Sequence, residues 1–189
     1  MSAFEKRFIN STAHGRRVAE HAVRRLRHVP IEAGRSYLDV GCGNGLATIH
    51  VADTLRLRAV GVDVDAAQIA AAQQAAGSRT GVSFMTASAT ELPFDSGQFD
   101  IVFTNKALHH VPEWQQAIEE LKRVIAPGGY VVFADLNVPA ALARLLRRTV
   151  GHAAGIFTRR DLDRGFSGLH DLHRNAHWLH YEAVFRKPL

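Results

Sequence analysis

Three closely spaced glycines and a later aspartate are the residues whose types and spacing best suit ligand binding. Gly41, Gly43 and Gly45 form a glycine-rich segment, and Asp63 follows Gly45 by eighteen residues. Glycines lack a Cβ atom, so their backbone can turn tightly and come close to a bulky ligand. A carboxylate about 20 residues later can accept hydrogen bonds from both hydroxyls of a ribose. The pattern therefore predicts a site for a nucleotide-like ligand.

The glycine segment differs from two common nucleotide-binding motifs. The dinucleotide pattern G-x-G-x-x-G requires glycine at position 46, where this chain has Leu46. The segment also lacks the lysine followed by serine or threonine that defines a P-loop. The sequence therefore disfavours a nicotinamide dehydrogenase.

The elements that must position these residues alternate between short apolar strands and helices. Strands are predicted over residues 36–40, 59–64, 82–86, 99–104 and 130–134, and helices over 13–28, 48–55, 66–76, 112–125 and 140–149. A turn is predicted at 127–129, a further helix should begin at Thr158, and residues 169–172 and 177–186 indicate two closing strands. We expect an α/β, Rossmann-like doubly wound fold: a seven-stranded, mostly parallel sheet with helices on both faces and an antiparallel C-terminal strand. Its ligands should bind at the carboxyl ends of the strands.

Length and composition predict a single domain over residues 1–189 in a reducing compartment. We divide it into an N-terminal helix (1–30), a ligand-binding core (31–135) and an insert with closing strands (136–189). One cysteine, Cys42, excludes an intrachain disulfide framework. The N-terminal segment carries charges where a signal peptide needs an apolar stretch, and no apolar run approaches the ~20 residues of a membrane span. We expect a cytoplasmic location.

Four segments together resemble class I S-adenosylmethionine-dependent methyltransferases, in particular the small-molecule branch related to ubiquinone and menaquinone biosynthesis. Residues 39–45 (DVGCGNG) resemble the family's motif I, and residues 61–65 (GVDVD) resemble its ribose-binding motif. Residues 91–95 (ELPFD), followed by 99–102 (FDIV), and residues 121–130 (LKRVIAPGGY) are similar to two later segments of that branch. The resemblance covers about residues 36–135 in the correct order and implies S-adenosyl-L-methionine as the cofactor.

The resemblance also implies which residues contact the cofactor. Gly41, Cys42 and Gly43 would pack against its methionine and ribose portions, with Asp39 beneath them organising the amino group. Asp63 would hold the ribose hydroxyls. The remaining implied contacts are Val64, Ser88 and Ala89 around the adenine, and a backbone carbonyl of Asn105 or Lys106 near the amino-acid portion. Many relatives have aspartate where this chain has Ser88, and a neutral serine makes a weaker hydrogen bond to the adenine amino group.

Transfer of an activated methyl group needs a base only when the acceptor arrives protonated. His109 and His110 follow the fourth strand, where a side chain can reach the transferred methyl, and we select His110 as the base. A purely structural role for both histidines in their loop is the alternative. His14 in the basic N-terminal segment is the second candidate for substrate contact.

Charge is distributed unevenly along the chain. The overall net charge is +5, with +5 in residues 1–30, −5 in 31–135 and +4 in 136–175. The resemblance implies that the N-terminal helix and the insert after the fifth strand build the acceptor pocket. Arg144, Arg147 and Arg148 lie in that insert and therefore suggest a small-molecule acceptor bearing a carboxylate or phosphate. The arginines of the first helix are expected to solvate its outer face: Arg16, Arg17, Arg24, Arg25 and Arg27.

Two further functions stay open on the sequence alone. One is an RNA or protein methyltransferase, although no recognition module is appended and few aromatics alternate with the arginines. The other is a non-enzymatic cofactor-binding relative. We expect no metal, because no carboxylate or cysteine at ligand spacing joins the four C-terminal histidines, His170, His173, His177 and His180. The acceptor, the methylated atom and the oligomeric state are left open.

Overall fold

The computed structural model describes residues 12–149 and 155–189, with side chains described over 18–146 and from 155 onward. Seven strands are present in these ranges: β1 Ser36–Val40, β2 Arg58–Asp63, β3 Val82–Thr86, β4 Phe99–Asn105, β5 Ile125–Asp135, β6 His170–His177 and β7 His180–Arg186. Six α-helices accompany them: α1 Thr12–Leu26, α2 Leu46–Leu55, α3 Ala66–Ala76, α4 Trp114–Val124, α5 Ala140–Thr149 and α6 Arg159–Gly165. A short 3₁₀ helix spans Leu108–His110.

The strands form one sheet in the order β3-β2-β1-β4-β5-β7-β6. The pairs among β1 to β5 are parallel, whereas β7 is antiparallel to both β5 and β6. This arrangement confirms the predicted seven-stranded, mostly parallel sheet with an antiparallel C-terminal strand. The carboxyl ends of the five parallel strands lie side by side along one end of the sheet, which we call the carboxyl edge.

Alternating side chains of the central strands build a hydrophobic layer on each face of the sheet. On one face, Val102 and Val131 belong to a cluster with Ile118 of α4 and Leu162 of α6. On the opposite face, Phe103 and its neighbours cluster with residues of α1 and α2: Ala22, Leu26, Val51 and Ala52. Burial on both faces explains why these strands appear as near-continuous apolar runs in the sequence.

Two of the sequence motifs meet through one arginine of α4. Arg123 donates from Nη1 to the carbonyl of Phe94 at 2.7 Å and from Nη2 to the carbonyl of Leu92 at 2.9 Å. Its Nε also donates to Glu120 Oε1 at 2.6 Å, and Glu120 Oε2 accepts from Leu92 N–H at 2.7 Å. The 91–95 segment is therefore fixed to the helix that precedes β5.

Two expectations from the sequence are corrected. The turn predicted at residues 127–129 is a bulge inside β5 rather than the loop before it: residues 126–129 oppose only Asp100 of β4, and Gly128 has φ of +74°. Arg25 was expected to solvate the outer face of the first helix, but it is buried, with 9% of its surface exposed. Its burial is tolerated because the Glu182 carboxylate on β7 compensates its charge and Asn105 on β4 accepts a second hydrogen bond. Arg24 and Arg27 are exposed, and the side chains of Arg16 and Arg17 lie outside the described part.

Within the described ranges, no helix combines the length and the apolar character that a membrane span needs.

Candidate active site

The strand order brings the predicted cofactor residues to one place. Strands β3, β2, β1 and β4 are consecutive neighbours, so their carboxyl ends lie side by side. The glycine loop (residues 41–45) follows β1, Asp63 ends β2, and Asn105 ends β4. Ser88 follows β3 by two residues, in a segment whose Ala87 N–H donates to the Asp63 carbonyl at 3.1 Å. Segments that are distant in sequence thus form a continuous surface at the carboxyl edge.

Asp63 is hydrogen-bonded to the backbone on both sides. Its Oδ2 accepts from Gly43 N–H at 2.9 Å, and its Oδ1 accepts from Asp65 N–H at 3.0 Å. The glycine loop is further held by the Val62 carbonyl, which accepts from the N–H groups of Gly41 and Cys42 at 2.8 and 3.0 Å. A carboxylate oxygen has two lone pairs, so each oxygen of Asp63 retains capacity for a ligand hydroxyl.

The glycine loop lies directly against the segment that follows β4. Gly41 has φ of +81°, and a Cβ atom there would collide with the Cβ of Ala107. Any side chain at position 41 would therefore separate the loop from this segment. The contact places the 3₁₀ helix, which begins at Leu108, next to the loop.

An open space flanks Gly43. A Cβ atom built there would have only Gln68 Oε1 within 4 Å, at 4.0 Å. Gln68 is 8% exposed, and within the described residues its Oε1 is buried without a hydrogen-bond partner. An accessible glycine backbone beside an unsatisfied amide oxygen and the Asp63 carboxylate fits a polar ligand such as the ribose of S-adenosylmethionine.

Asp39 lies beneath the loop. It is 4% exposed, and its Oδ2 accepts from the Thr48 hydroxyl of α2 at 2.6 Å. Burial raises the pKa of Asp39 to about 7, with Thr48 opposing the shift and the Asp63 charge adding to it. Burial also raises the pKa of the Cys42 thiol, as do the charges of Asp39 and Asp63, which favours its protonated form.

An exposed apolar surface lies beside Asp63. Val64 is 76% exposed directly after β2, which is unusual for a valine and suits stacking against a flat ring. The Ser88 hydroxyl lies 2.7 Å from Thr90 Oγ1 and accepts from Thr90 N–H at 3.2 Å. Ala89 is half-buried against the core. The Ser88 hydroxyl is therefore already oriented by its own loop.

Asn105 and Lys106 form a tight turn at the end of β4. Lys106 has φ of +53°, a left-handed conformation that is uncommon for a residue with a side chain. Its N–H donates to the Ala134 carbonyl at 2.8 Å, and Asn105 Oδ1 accepts from Arg25 Nη1 at 3.1 Å. The turn is thus fixed by bonds to both β5 and α1.

A histidine–aspartate pair lies at the same edge, and sequence reasoning did not identify its acidic member. His109 Nδ1 is 2.7 Å from Oδ1 of Asp135, the last residue of β5. Asp135 is fully buried and accepts three N–H groups, from Leu108 at 2.9 Å, His109 at 3.3 Å and Leu136 at 2.7 Å. With the proton assigned to Nδ1 from this contact, Nε2 is the basic nitrogen. The sequence signal that could have identified Asp135 was its position as a carboxylate at the end of the fifth strand.

The two histidines selected from the sequence are placed differently. His110 is exposed, and its ring packs against that of His109 with centroids 3.9 Å apart. His14 falls within α1, but its side chain lies outside the described part. These contacts test neither the predicted substrate contact of His14 nor a catalytic role for His110.

The C-terminal histidines belong to the β6–β7 hairpin. His173 stacks on His28 with ring centroids 3.8 Å apart, and His177 pairs with His180 across the hairpin. Among the described residues, no group of three or more histidine, cysteine or acidic side chains is arranged to hold a metal ion.

The sheet order and the loops at its carboxyl edge define a Rossmann-like class of fold. A family model described as a methyltransferase domain matches residues 38–133, which is half of the chain, and the chain therefore belongs to this family. This assignment confirms the resemblance inferred from the sequence motifs.

Several characterised methyltransferases are similar to this chain in sequence. They include O-methyltransferase resE of Aspergillus sclerotiorum (36% identical, covering 59% of this chain and 46% of the relative), the 27-O-demethylrifamycin SV methyltransferase of Amycolatopsis mediterranei (34%, 59% and 43%) and the demethylmenaquinone methyltransferase of Shouchella clausii (31%, 60% and 50%). The chain spans about half the length of these relatives.

Solved structures share the fold at low sequence identity. The [4+2]-cyclase SpnF superposes with a TM-score of 0.77 at 19% identity, covering 90% of this chain and 82% of SpnF. Geranyl diphosphate methyltransferase, solved in complex with S-adenosylmethionine, gives 0.75 at 15% identity, covering 95% and 92%. At these identities the likeness establishes the fold alone.

Proposed function

We propose that this chain binds S-adenosylmethionine and transfers its methyl group to a small-molecule acceptor. The observation that carries the proposal is the placement of Asp63. Its two oxygens, fixed by Gly43 and Asp65 N–H groups, border the open space beside Gly43. This arrangement suits the two hydroxyls of one ribose, and the family assignment selects the cofactor that carries that ribose.

The other predicted contacts distribute around this ribose position. The backbone at Gly41, Cys42 and Gly43 would border the methionine portion, above the buried Asp39. The adenine would lie on exposed Val64, next to the loop that carries Ser88 and Ala89, with the Ser88 hydroxyl as its hydrogen-bonding group. The turn of Asn105 and Lys106 would offer a backbone carbonyl to the amino group.

The chain's catalytic task is to hold the acceptor and, where needed, to remove its proton. The bound cofactor supplies an already activated methyl group. Residues at the carboxyl edge would orient the acceptor atom in line with that methyl group and exclude water. We assign the base to His109 rather than to His110, because the contact of Asp135 with Nδ1 orients the His109 ring and leaves Nε2 as the nitrogen that can accept a proton.

The surroundings of α5 support an acceptor with an apolar body and an anionic group. Exposed leucines on and before α5 offer apolar surface: Leu136, Leu142 and Leu145. Arg144 is exposed on the same helix. We retain a carboxylate- or phosphate-bearing acceptor as the more specific hypothesis. This hypothesis predicts that turnover of an anionic acceptor falls with added salt, whereas turnover of its neutral ester does not.

Methyl transfer can be tested with S-adenosylmethionine carrying a labelled methyl group and a panel of small phenols, quinols, amines and carboxylic acids. The expected result is labelled product from one acceptor class, with turnover of a hydroxyl acceptor lowered by about 10²–10⁴ in His109→Ala. The matched variant His110→Ala should retain most activity. The reverse order would restore His110 as the base, and wild-type activity in both variants would show that neither histidine is the base.

The same assay separates the alternative functions. Binding of S-adenosylhomocysteine without transfer to any small molecule, but with labelling of RNA or protein, would overturn the small-molecule acceptor. Binding of S-adenosylhomocysteine without transfer to a small molecule, RNA or protein would favour a role other than methylation. The [4+2]-cyclase SpnF shares this fold, and its name describes a different reaction.

A further inference from the structure

A buried arginine links the first helix to the cofactor side of the sheet. Arg25 lies near the end of α1, and its side chain is 10% exposed. Its Nη1 donates to Asn105 Oδ1 at 3.1 Å, and its Nε donates to Glu182 Oε2 at 3.0 Å. One guanidinium therefore joins α1 to the carboxyl end of β4 and to β7.

The charge of Arg25 is compensated locally. Burial alone would raise the pKa of Glu182, but the hydrogen bond and charge of Arg25, with a smaller contribution from His180, hold it below its usual range. The planar guanidinium of arginine can donate in fixed directions to two acceptors at once. Glu182 therefore anchors the side chain while a second nitrogen remains directed at Asn105.

The acceptor of that second nitrogen belongs to the turn proposed to meet the cofactor. Asn105 precedes Lys106, whose left-handed backbone is sparsely populated for non-glycine residues and persists only where surrounding contacts enforce it. The contacts at this turn are the Lys106 N–H bond to the Ala134 carbonyl and the Arg25 bond to the Asn105 side chain. Loss of the Arg25 bond would remove the link between the turn and α1, leaving the bond to β5 and the contact of the adjacent Ala107 with the glycine loop.

We propose that Arg25 is a positioning residue that couples docking of α1 to cofactor binding by holding the turn of Asn105 and Lys106. The proposal rests on the proposed function, because it concerns the same cofactor site. Coupling between two equilibria is reciprocal: if docked α1 strengthens cofactor binding, bound cofactor strengthens docking of α1 by the same factor. Arg25 thus acts on the cofactor through Asn105.

Calorimetric titration of the full chain with S-adenosylhomocysteine tests the positioning role. Arg25→Met should raise the Kd about tenfold, and Asn105→Ala should raise it by a similar factor. Because both substitutions remove the same bond, the double variant should bind no more weakly than either single variant. Arg24→Met is the matched control: Arg24 is the exposed neighbour on the same helix, and its loss should leave the Kd unchanged.

A second readout follows from reciprocity. Addition of S-adenosylhomocysteine should slow amide hydrogen exchange over residues 18–26 in the wild type and in Arg24→Met, but not in Arg25→Met. A role limited to stability would lower the melting temperature of Arg25→Met without changing either the Kd or this response.

The outcomes separate the inference from the proposed function. If the wild type does not bind S-adenosylhomocysteine, the proposed function fails. If the wild type binds and Arg25→Met binds equally well, or if the effects of the two substitutions add, the positioning role is refuted. Should Arg25→Met fail to fold, Asn105→Ala alone decides, and an unchanged Kd for that variant refutes the inference.

Discussion

Removal of the Asp63 carboxylate should abolish most of the cofactor affinity while leaving the protein folded. Asp63→Ala deletes two hydrogen bonds to backbone N–H groups, from Gly43 at 2.9 Å and Asp65 at 3.0 Å, together with both proposed ribose bonds. Hydrogen bonds to a charged group contribute about 1.5–3 kcal/mol each, so two ribose bonds correspond to about 3–6 kcal/mol, or a rise in Kd of about 10²–10⁴. Loss of the two loop bonds should lower the free energy of unfolding by about 3 kcal/mol, the lower end of the same range, because Asp63 is partly exposed to water.

Calorimetric titration with S-adenosylhomocysteine measures this change, with NAD as the ligand that should not bind. Asp65→Ala provides the matched control. It removes the N-cap of α3, whose carboxylate accepts from Ala67 N–H at 2.9 Å, and should lower stability by about 1 kcal/mol without changing the Kd. If Asp63→Ala binds within about threefold of the wild type, Asp63 does not hold the ribose and the assignment of this site is wrong.

Three further predictions concern stability, each measured by thermal or denaturant unfolding. Burial raises the pKa of Asp39 to about 7, so the contribution of Asp39 to stability should be largest below its unfolded pKa and be lost as the pH rises through about 7. Asp39→Asn should remove this dependence and raise stability near pH 8 by at most about 4 kcal/mol, and an unchanged pH profile would contradict the shift. Gly45→Ala would place a Cβ atom 2.6 Å from Phe84 Cζ at a φ of +74°, so a loss of about 2–4 kcal/mol is expected, and a neutral effect would show that the loop adapts. Thr158→Ala breaks the capping box with Asp161 at the start of α6 and should lower stability by about 1 kcal/mol, whereas no change would mean that α6 is held by packing alone.

The sequence by itself determined the fold class and the cofactor segments. Near-continuous apolar strands between helices predicted the doubly wound sheet, since strands covered on both faces need no polar side. The glycines at 41–45 and the later Asp63 predicted a nucleotide-like site, because these features depend on local spacing and on where each strand ends. The segments at 91–95 and 121–130 were recognised separately from the sequence. That Arg123 joins them became visible only through its bonds to the Leu92 and Phe94 carbonyls.

Only the tertiary structure decided which side chains meet across the sheet. The sequence analysis expected Arg25 to be exposed like the other arginines of α1, yet its acceptors, Asn105 and Glu182, lie 80 and 157 residues away. Our proposal of His109 as the base depends on Asp135, which reaches His109 because the ends of β4 and β5 are neighbours. A residue pattern indicates the local periodicity of each segment and where each strand ends. The partner of a buried polar group depends on which distant strands the sheet places side by side, and that information is carried by packing rather than by local sequence.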